Sequence, residues 1–109
     1  MSKNGYSSED FDHFVGGLIA EWEFALELRQ RWRVFDGEER AAYTEDWPVN
    51  NDIHQYLADY VAEHVLTESQ QAQWDRLNEL VAEHTKDLER MGYRVRIPEQ
   101  RKRQEREVA

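Results

Sequence analysis

The sequence predicts an all-α protein: a small helical bundle in which a long first helix packs on an antiparallel helical hairpin, with a short extended C-terminal segment. Apolar residues recur at intervals of three and four over long stretches, as in helices with one buried face. Only 5 Gly and 2 Pro occur among 109 residues, so long segments lack helix-breaking residues. Aromatic residues make up 12% of the chain, and this bulky apolar material indicates a packed core. We expect one domain over residues 1–98 and a charged, loosely ordered tail over residues 99–109.

The first predicted helix runs from Ser8 to Phe35 and carries two apolar strips. Ser8 is the expected N-cap, and Gly16-Gly17 predicts a kink or a close crossing by another helix. The main face comprises Phe11, Phe14, Val15, Leu18, Trp22, Ala25, Leu26 and Trp32. The second strip, Phe24, Leu28 and Phe35, lies roughly 90° away.

This second strip predicts self-association, because a three-helix monomer does not readily cover it and exposed apolar patches usually mark interfaces. A symmetric homodimer is the commonest arrangement. In a monomer, the connecting segment or residues 93–98 would cover the strip instead.

Capping signals divide the rest of the chain. Asp36 and Glu39 form a capping-box pattern that predicts a short helix over Glu38–Tyr43. A second long helix is expected to start within Pro48–Asn51 and to reach about Leu66. Its apolar face comprises Ile53, Leu57, Tyr60, Val61 and His64, with Tyr56 flanking it.

Thr67 and Gln70 form a further capping-box pattern, so a third helix should begin at Glu68 and end before Gly92. Its apolar face comprises Trp74, Leu77, Val81, His84, Leu88 and Met91. Residues 93–98 alternate in the manner of an extended strand. With no partner strand, they should lie along the bundle, with Val95 and Ile97 or the alternate set facing inward.

No catalytic, cofactor-binding or metal-binding site is predicted, and we expect no enzymatic activity. The chain has no Cys, which excludes thiolate ligands and cysteine nucleophiles. His64 and His84 should face inward about 20 Å apart along the helix axis, too far to share one ion. The polar N-terminus and the shortness of every uncharged run predict a soluble, cytoplasmic protein without a membrane anchor.

Charge favours a protein partner with a basic surface. The net charge is −9, and residues 1–92 hold 8 Lys+Arg against 20 Asp+Glu, a balance of −12. The segment 36–47 places five carboxylates before Trp47, and it predicts a partner-binding patch anchored by that tryptophan. The patch consists of Asp36, Glu38, Glu39, Glu45, Asp46 and Trp47. In the alternative interpretation, the segment is an ordinary acidic loop whose Trp47 folds back over the core.

Residues 93–109 carry 6 Lys+Arg and 3 Asp+Glu, a balance of +3, and they support a second functional hypothesis. A helical subunit of a nucleoprotein assembly would contact nucleic acid through this basic tail. The residues concerned are Arg94, Arg96, Arg101, Lys102, Arg103 and Arg106.

The composition resembles that of toxin-neutralising immunity proteins and phage-encoded inhibitors of host systems, which are often small, acidic, cysteine-free and helical. We therefore expect a non-enzymatic inhibitor, immunity-type protein or adaptor that acts through protein–protein contacts.

Overall fold

The computed structural model of the protein describes residues 7–99. Within that range lie four α-helices and one short 3-10 helix, and no β-strand occurs there. The α-helices are α1 (Ser8–Arg29), α2 (Gly37–Thr44), α3 (Trp47–Glu63) and α4 (Glu68–Met91), and the 3-10 helix is Trp32–Val34. The predicted all-α bundle is confirmed.

Helix α1 is central, because both α3 and α4 pack mainly against it. The beginnings of α1 and α4 are joined by a hydrogen bond of 2.7 Å from Gln70 to Ser8. Their ends are joined by the 2.7 Å ion pair of Arg29 and Asp87, so these two helices run parallel. The start of α3 lies beside the second half of α1, where the Trp22 and Trp47 rings are 5.5 Å apart. Helix α3 is therefore antiparallel to both.

The core follows the predicted apolar face of α1 and draws on every long helix. Its most deeply buried large side chains are Phe11, Val15, Trp22, Leu28, Leu57, Leu77 and Leu88. Burying a side chain of this size contributes about 1.5–3 kcal/mol of favourable transfer free energy.

The first helix ends at Arg29, six residues before the predicted end at Phe35. The chain then turns through the 3-10 helix, which buries the Trp32 ring beneath the end of α4. There the indole N–H donates a hydrogen bond of 3.0 Å to the Met91 carbonyl. Burial of this large ring with its N–H satisfied outweighs continuation of the helical ladder.

Three of the four helices begin with a capping box. The boxes at Asp36 and Thr67 were predicted, whereas α1 is capped by Ser7 rather than by the expected Ser8. Helix α3 begins at Trp47 and has a proline in its first turn, where the missing N–H has no intrahelical partner to lose.

Helix α3 ends at Glu63 and not near Leu66. His64 is extended at φ −133° and ψ 151°, and the N-cap residue Thr67 is also extended. The link between the two helices is only four residues long, and it reverses the chain with the help of these extended residues.

Gly92 stops α4 at φ 109°, a left-handed conformation that glycine adopts without a steric penalty. The segment 93–99 then runs along α3, held through its backbone. The Asn51 side-chain amide donates to the Arg94 carbonyl at 2.7 Å and accepts from the Arg96 N–H at 3.0 Å. One helical turn later, Gln55 pairs with the N–H and carbonyl of Glu99 at 2.9 and 3.0 Å.

The predicted alternation of this extended segment holds only from residue 93 to residue 96. Tyr93 is buried and Val95 is half-buried, whereas Ile97 is exposed. Neither predicted register is found in full: Val95 packs against the core, whereas Ile97 faces solvent and Pro98 is half-buried.

The Gly16-Gly17 pair neither interrupts α1 nor marks a tight helix crossing. A Cβ atom at Gly17 would meet no atom within 4 Å, and one at Gly16 would lie 3.9 Å from Gln73 Nε2. The expected close packing at this pair is not found.

Candidate binding cleft at the aromatic end

Seven aromatic side chains gather where the end of α1, helix α2, the start of α3 and the residue after Gly92 meet. We call this region the aromatic end. Its members are Trp22, Phe24, Trp32, Phe35, Tyr43, Trp47 and Tyr93, whose neighbouring ring centroids lie 4.8–6.2 Å apart. Helix α2 carries only one of these rings, Tyr43, and that ring contacts Phe24, Trp32 and Phe35.

Trp47 is not the exposed anchor expected from the sequence. Its side chain is only 3% exposed and lies between Trp22 and Tyr93, with ring centroids 5.5 and 4.8 Å away. Trp47 shares the inward face of α3 with Asn51, His54 and Leu57. It covers the core, as in the alternative interpretation.

The five carboxylates of the predicted patch are all exposed. Asp36 and Glu39 hold the capping box of α2, with hydrogen bonds of 2.8 and 2.9 Å. The chain next to them is basic: Arg31 and Arg33 are exposed, and the Arg40 guanidinium lies 5.8 Å from the centroid of the Trp32 ring. The field of the α2 carboxylates is therefore partly offset by neighbouring arginines.

A cleft of about 540 Å³ opens at the aromatic end between α1, α2 and the start of α3. We call it the aromatic cleft. It is lined by Glu21, Phe24, Ala25, Ala42, Tyr43, Asp46, Trp47, Val49, Asn50 and Tyr93. Its volume lies within the range typical of ligand-binding clefts. Two lining residues are acidic and none is basic. No lining arginine therefore offsets the negative electrostatic potential of the cleft, in contrast to the α2 surface beside it.

The two acidic groups of the cleft have no cationic partner within residues 7–99. Asp46 is the N-cap residue of α3, yet its side chain makes no capping hydrogen bond. Burial, followed by the charge of Glu21 and the proximity of Tyr43, raises the pKa of the Tyr93 hydroxyl to about 12. Tyr93 therefore stays protonated at neutral pH, and Glu21 acts electrostatically on the interior of the cleft.

The second apolar strip of α1 is divided in the structure. Leu28 is 1% exposed and belongs to the core, whereas Phe24 is 48% exposed. Phe35 is half-buried against Trp32 and Tyr43. Tyr43 of α2 thus covers part of Phe35, as expected of the connecting segment in a monomer, and of the three strip residues only Phe24 remains exposed for the predicted self-association.

The predicted histidines lie apart from the cleft. His64 is exposed rather than inward-facing; its ring stacks on Tyr60 at 3.9 Å and its Nδ1–H donates to the Tyr60 carbonyl at 3.0 Å. His84 is half-buried and hydrogen-bonds Asp87 at 3.0 Å. That hydrogen bond, with the charges of nearby Arg29 and Arg90, lowers the pKa of the Asp87 carboxyl. Within residues 7–99, no group of three or more His, Asp or Glu side chains is placed to hold a metal ion.

One buried titratable group was not predicted from the sequence. His54 is 4% exposed and lies 5.8 Å from the ring of Trp74. Its Nε2 has no hydrogen-bond partner among the described residues, and burial lowers its pKa to about 4. Trp47, Asn51, His54 and Leu57 recur at helical spacing, and this periodicity was the available signal for the buried face of α3.

The basic residues proposed for nucleic-acid contact are only partly described. Arg94 and Arg96 are exposed, and Arg96 pairs with Asp52 at 3.0 Å. The remaining four, Arg101, Lys102, Arg103 and Arg106, lie outside the described residues.

In the described part of the chain, no helix has both the length and the apolar character needed to cross a bilayer. No protein-family model matches the chain, and no curated protein or solved structure matches it.

Proposed function

We propose that this chain is a non-enzymatic protein-binding module, an inhibitor, immunity-type protein or adaptor that holds a basic partner at its aromatic end. The observation that carries the proposal is the aromatic cleft, which combines exposed aromatic surface, two carboxylates without a cationic partner in residues 7–99, and no basic lining residue. Aromatic side chains in a concave site are the usual anchors of protein interfaces, and complementary charge supplies steering and specificity.

The surroundings of the cleft support the same partner chemistry. Glu38, Glu45 and Asp46 are exposed on α2 and at its junction with α3. An acidic rim accelerates the encounter with a basic surface, and dissolved salt screens the effect. Trp47 contributes to this proposal as part of the cleft wall and not as a protruding anchor.

The test starts with co-purification of candidate partners by the tagged protein, followed by surface plasmon resonance with each purified candidate. We expect the association rate to fall between about 50 and about 300 mM salt, since charges separated by more than a Debye length are screened. Glu38→Lys with Glu45→Lys, which leaves the Asp36–Glu39 capping box intact, should slow association by about tenfold and change dissociation little. A partner whose association rate is independent of salt and of both substitutions contradicts the proposal.

The nucleic-acid hypothesis is separated by deletion of residues 99–109. If the basic tail is the functional element, the deletion abolishes binding to nucleic acid and the affinity for nucleic acid falls steeply with salt. If the aromatic end is the functional element, the deletion leaves the affinity for the protein partner unchanged.

A further inference from the structure

We infer that the aromatic cleft is a receptor for a single arginine side chain presented by the basic partner, an inference that rests on the proposed function. The cleft offers two features that a guanidinium ion uses: aromatic ring surface and carboxylates. Each of these features can be assigned to named groups.

The aromatic surface comes from Phe24 and Tyr43, which are 48% and 40% exposed. Their ring centroids are 6.2 Å apart with planes inclined at 57°, so the two rings form a corner and part of their surface faces solvent. The same end of the molecule already holds one guanidinium against an indole: Arg40 lies over Trp32 and donates from Nε to its carbonyl at 3.0 Å. Guanidinium groups stack on such rings more readily than ammonium groups because they are planar and weakly hydrated.

The carboxylates are those of Glu21 and Asp46, which line the cleft from α1 and from the start of α3. An apolar or anionic guest would remove water from these groups without pairing them, which is unfavourable. A cationic guest pairs them. The cleft is also larger than one side chain needs, so the flanking backbone of the partner segment fits at its mouth.

The binding probe is a glycine–serine peptide with one central arginine, titrated into isotope-labelled full-length protein and followed by NMR. We expect saturable shifts that centre on the amides of Tyr43, Asp46, Val49 and Tyr93. Replacing the arginine with its neutral isostere citrulline should weaken binding by about tenfold or more, and replacing it with lysine should weaken binding by roughly threefold.

Two matched double variants locate the site on the protein. Glu21→Gln with Asp46→Asn should weaken arginine-peptide binding by about tenfold, the effect of removing two charge-assisted contacts. Asn is as good an N-cap residue as Asp, so α3 should be retained, and circular dichroism checks this. Glu38→Gln with Glu39→Gln removes the same charge outside the lining, keeps the capping-box pattern, and should change affinity by less than about twofold.

An aromatic variant separates stacking from charge. Phe24→Leu keeps an apolar side chain and both carboxylates, and it should weaken binding of the arginine peptide by about threefold or more, in line with the modest energy of an exposed cation–π contact. Unchanged affinity in both Phe24→Leu and the Glu21/Asp46 variant overturns the inference.

The outcomes also distinguish this inference from the proposed function. If the Glu38/Glu39 variant loses affinity and the Glu21/Asp46 variant does not, a basic partner binds the α2 surface, so the arginine receptor is refuted while the proposed function stands. If neither the arginine peptide nor any purified basic partner binds, both fail.

Two other occupants would also refute it. One is the chain's own tail, which would be revealed if a chain ending at Glu99 bound the peptide at least about tenfold more tightly. The other is a second copy, which would be revealed if dilution of the protein alone reproduced the shifts.

Discussion

Three polar side chains, Asn51, His54 and Gln70, are buried, and their hydrogen bonding differs. Asn51 pairs with the backbone of the extended segment. Gln70 caps its own helix and also reaches Ser8 and Asp12 at 2.7 and 3.0 Å. His54 leaves Nε2 without a partner in the described part of the chain. Buried polar groups are stabilising only when they are satisfied, so His54 is the residue at which protonation should affect the fold.

His54 should make the free energy of unfolding depend on pH. Its pKa is about 4 in the folded protein and about 6.5 in an unfolded chain. Between these values the unfolded state binds the additional proton, so stability falls as the pH drops from about 6.5 toward 4. We expect His54 to remove about 2 kcal/mol of stability between about pH 7.5 and about pH 5.

Urea unfolding of the wild type and of His54→Phe at both pH values measures this contribution. The loss of unfolding free energy between about pH 7.5 and about pH 5 should be about 2 kcal/mol smaller in His54→Phe than in the wild type. This comparison does not depend on the absolute stability of either protein. His13→Gln, at an exposed position of α1, is the control and should keep the wild-type pH dependence. Equal pH dependence in all three proteins would show that His54 is accessible to protons in the folded state.

Trp47 should contribute to stability rather than to a protruding contact. Its ring is almost fully buried against Trp22 and Tyr93, and truncation of a buried aromatic side chain to alanine costs about 3–5 kcal/mol. We expect Trp47→Ala to lower the free energy of unfolding by that amount in urea denaturation. Val49→Ala, two residues along at an exposed position of α3, should cost less than about 0.5 kcal/mol. A Trp47→Ala protein with wild-type stability would contradict the burial of the indole.

Capping residues close to the helix termini determine several of the helix ends. The end of α1 is determined instead by tertiary packing. The capping boxes at Asp36 and Thr67 and the glycine at position 92 follow from short-range rules, and all three were predicted. The end of α1 was not predicted, because no capping residue marks it. It depends on the contact of Trp32 with the end of α4, 59 residues away in the sequence, and helical periodicity contains no information about such a contact.

Substitution by alanine should change the free energy of unfolding in opposite directions at Gly17, which lies inside α1, and at Gly92, which follows α4. Gly17 lies in α1 with free space around its Cα, and alanine is favoured over glycine in a helix by about 1 kcal/mol. Gly92 has φ 109°, and a side chain in the left-handed region costs roughly 1–2 kcal/mol. We expect Gly17→Ala to raise the free energy of unfolding and Gly92→Ala to lower it, as measured in urea. Destabilisation by Gly17→Ala would indicate that another segment packs on this face of α1.

At the scale of the whole molecule, the aromatic residues show which parts of the candidate site could be predicted from the sequence and which could not. The sequence located the acidic segment 36–47 and the apolar strip beside it, both of which belong to the aromatic end. It placed Trp47 in a partner-binding patch and Leu28 in a self-association strip, because a one-dimensional pattern does not show that Trp22 and Tyr93 enclose the Trp47 ring or that Leu28 belongs to the core. Glu21, which lines the cleft from α1, was not singled out because an exposed carboxylate on a helix has no distinctive sequence signal.

The boundary of the folded unit gives the last prediction, since the sequence places the end of the domain near residue 98. Tyr93 is buried against Trp32 and Trp47, and the Asn51 side chain pairs with the backbone of residues 94 and 96. A chain ending at Gly92 loses these contacts and leaves the Asn51 amide unpaired, so its stability should fall by roughly 3 kcal/mol or more. A chain ending at Glu99 keeps the Asn51 and Gln55 pairings, and its stability should stay within about 0.5 kcal/mol of the full chain. Urea unfolding of the three chain lengths makes the comparison; equal stability of both shortened chains would show that the extended segment is not part of the folded unit.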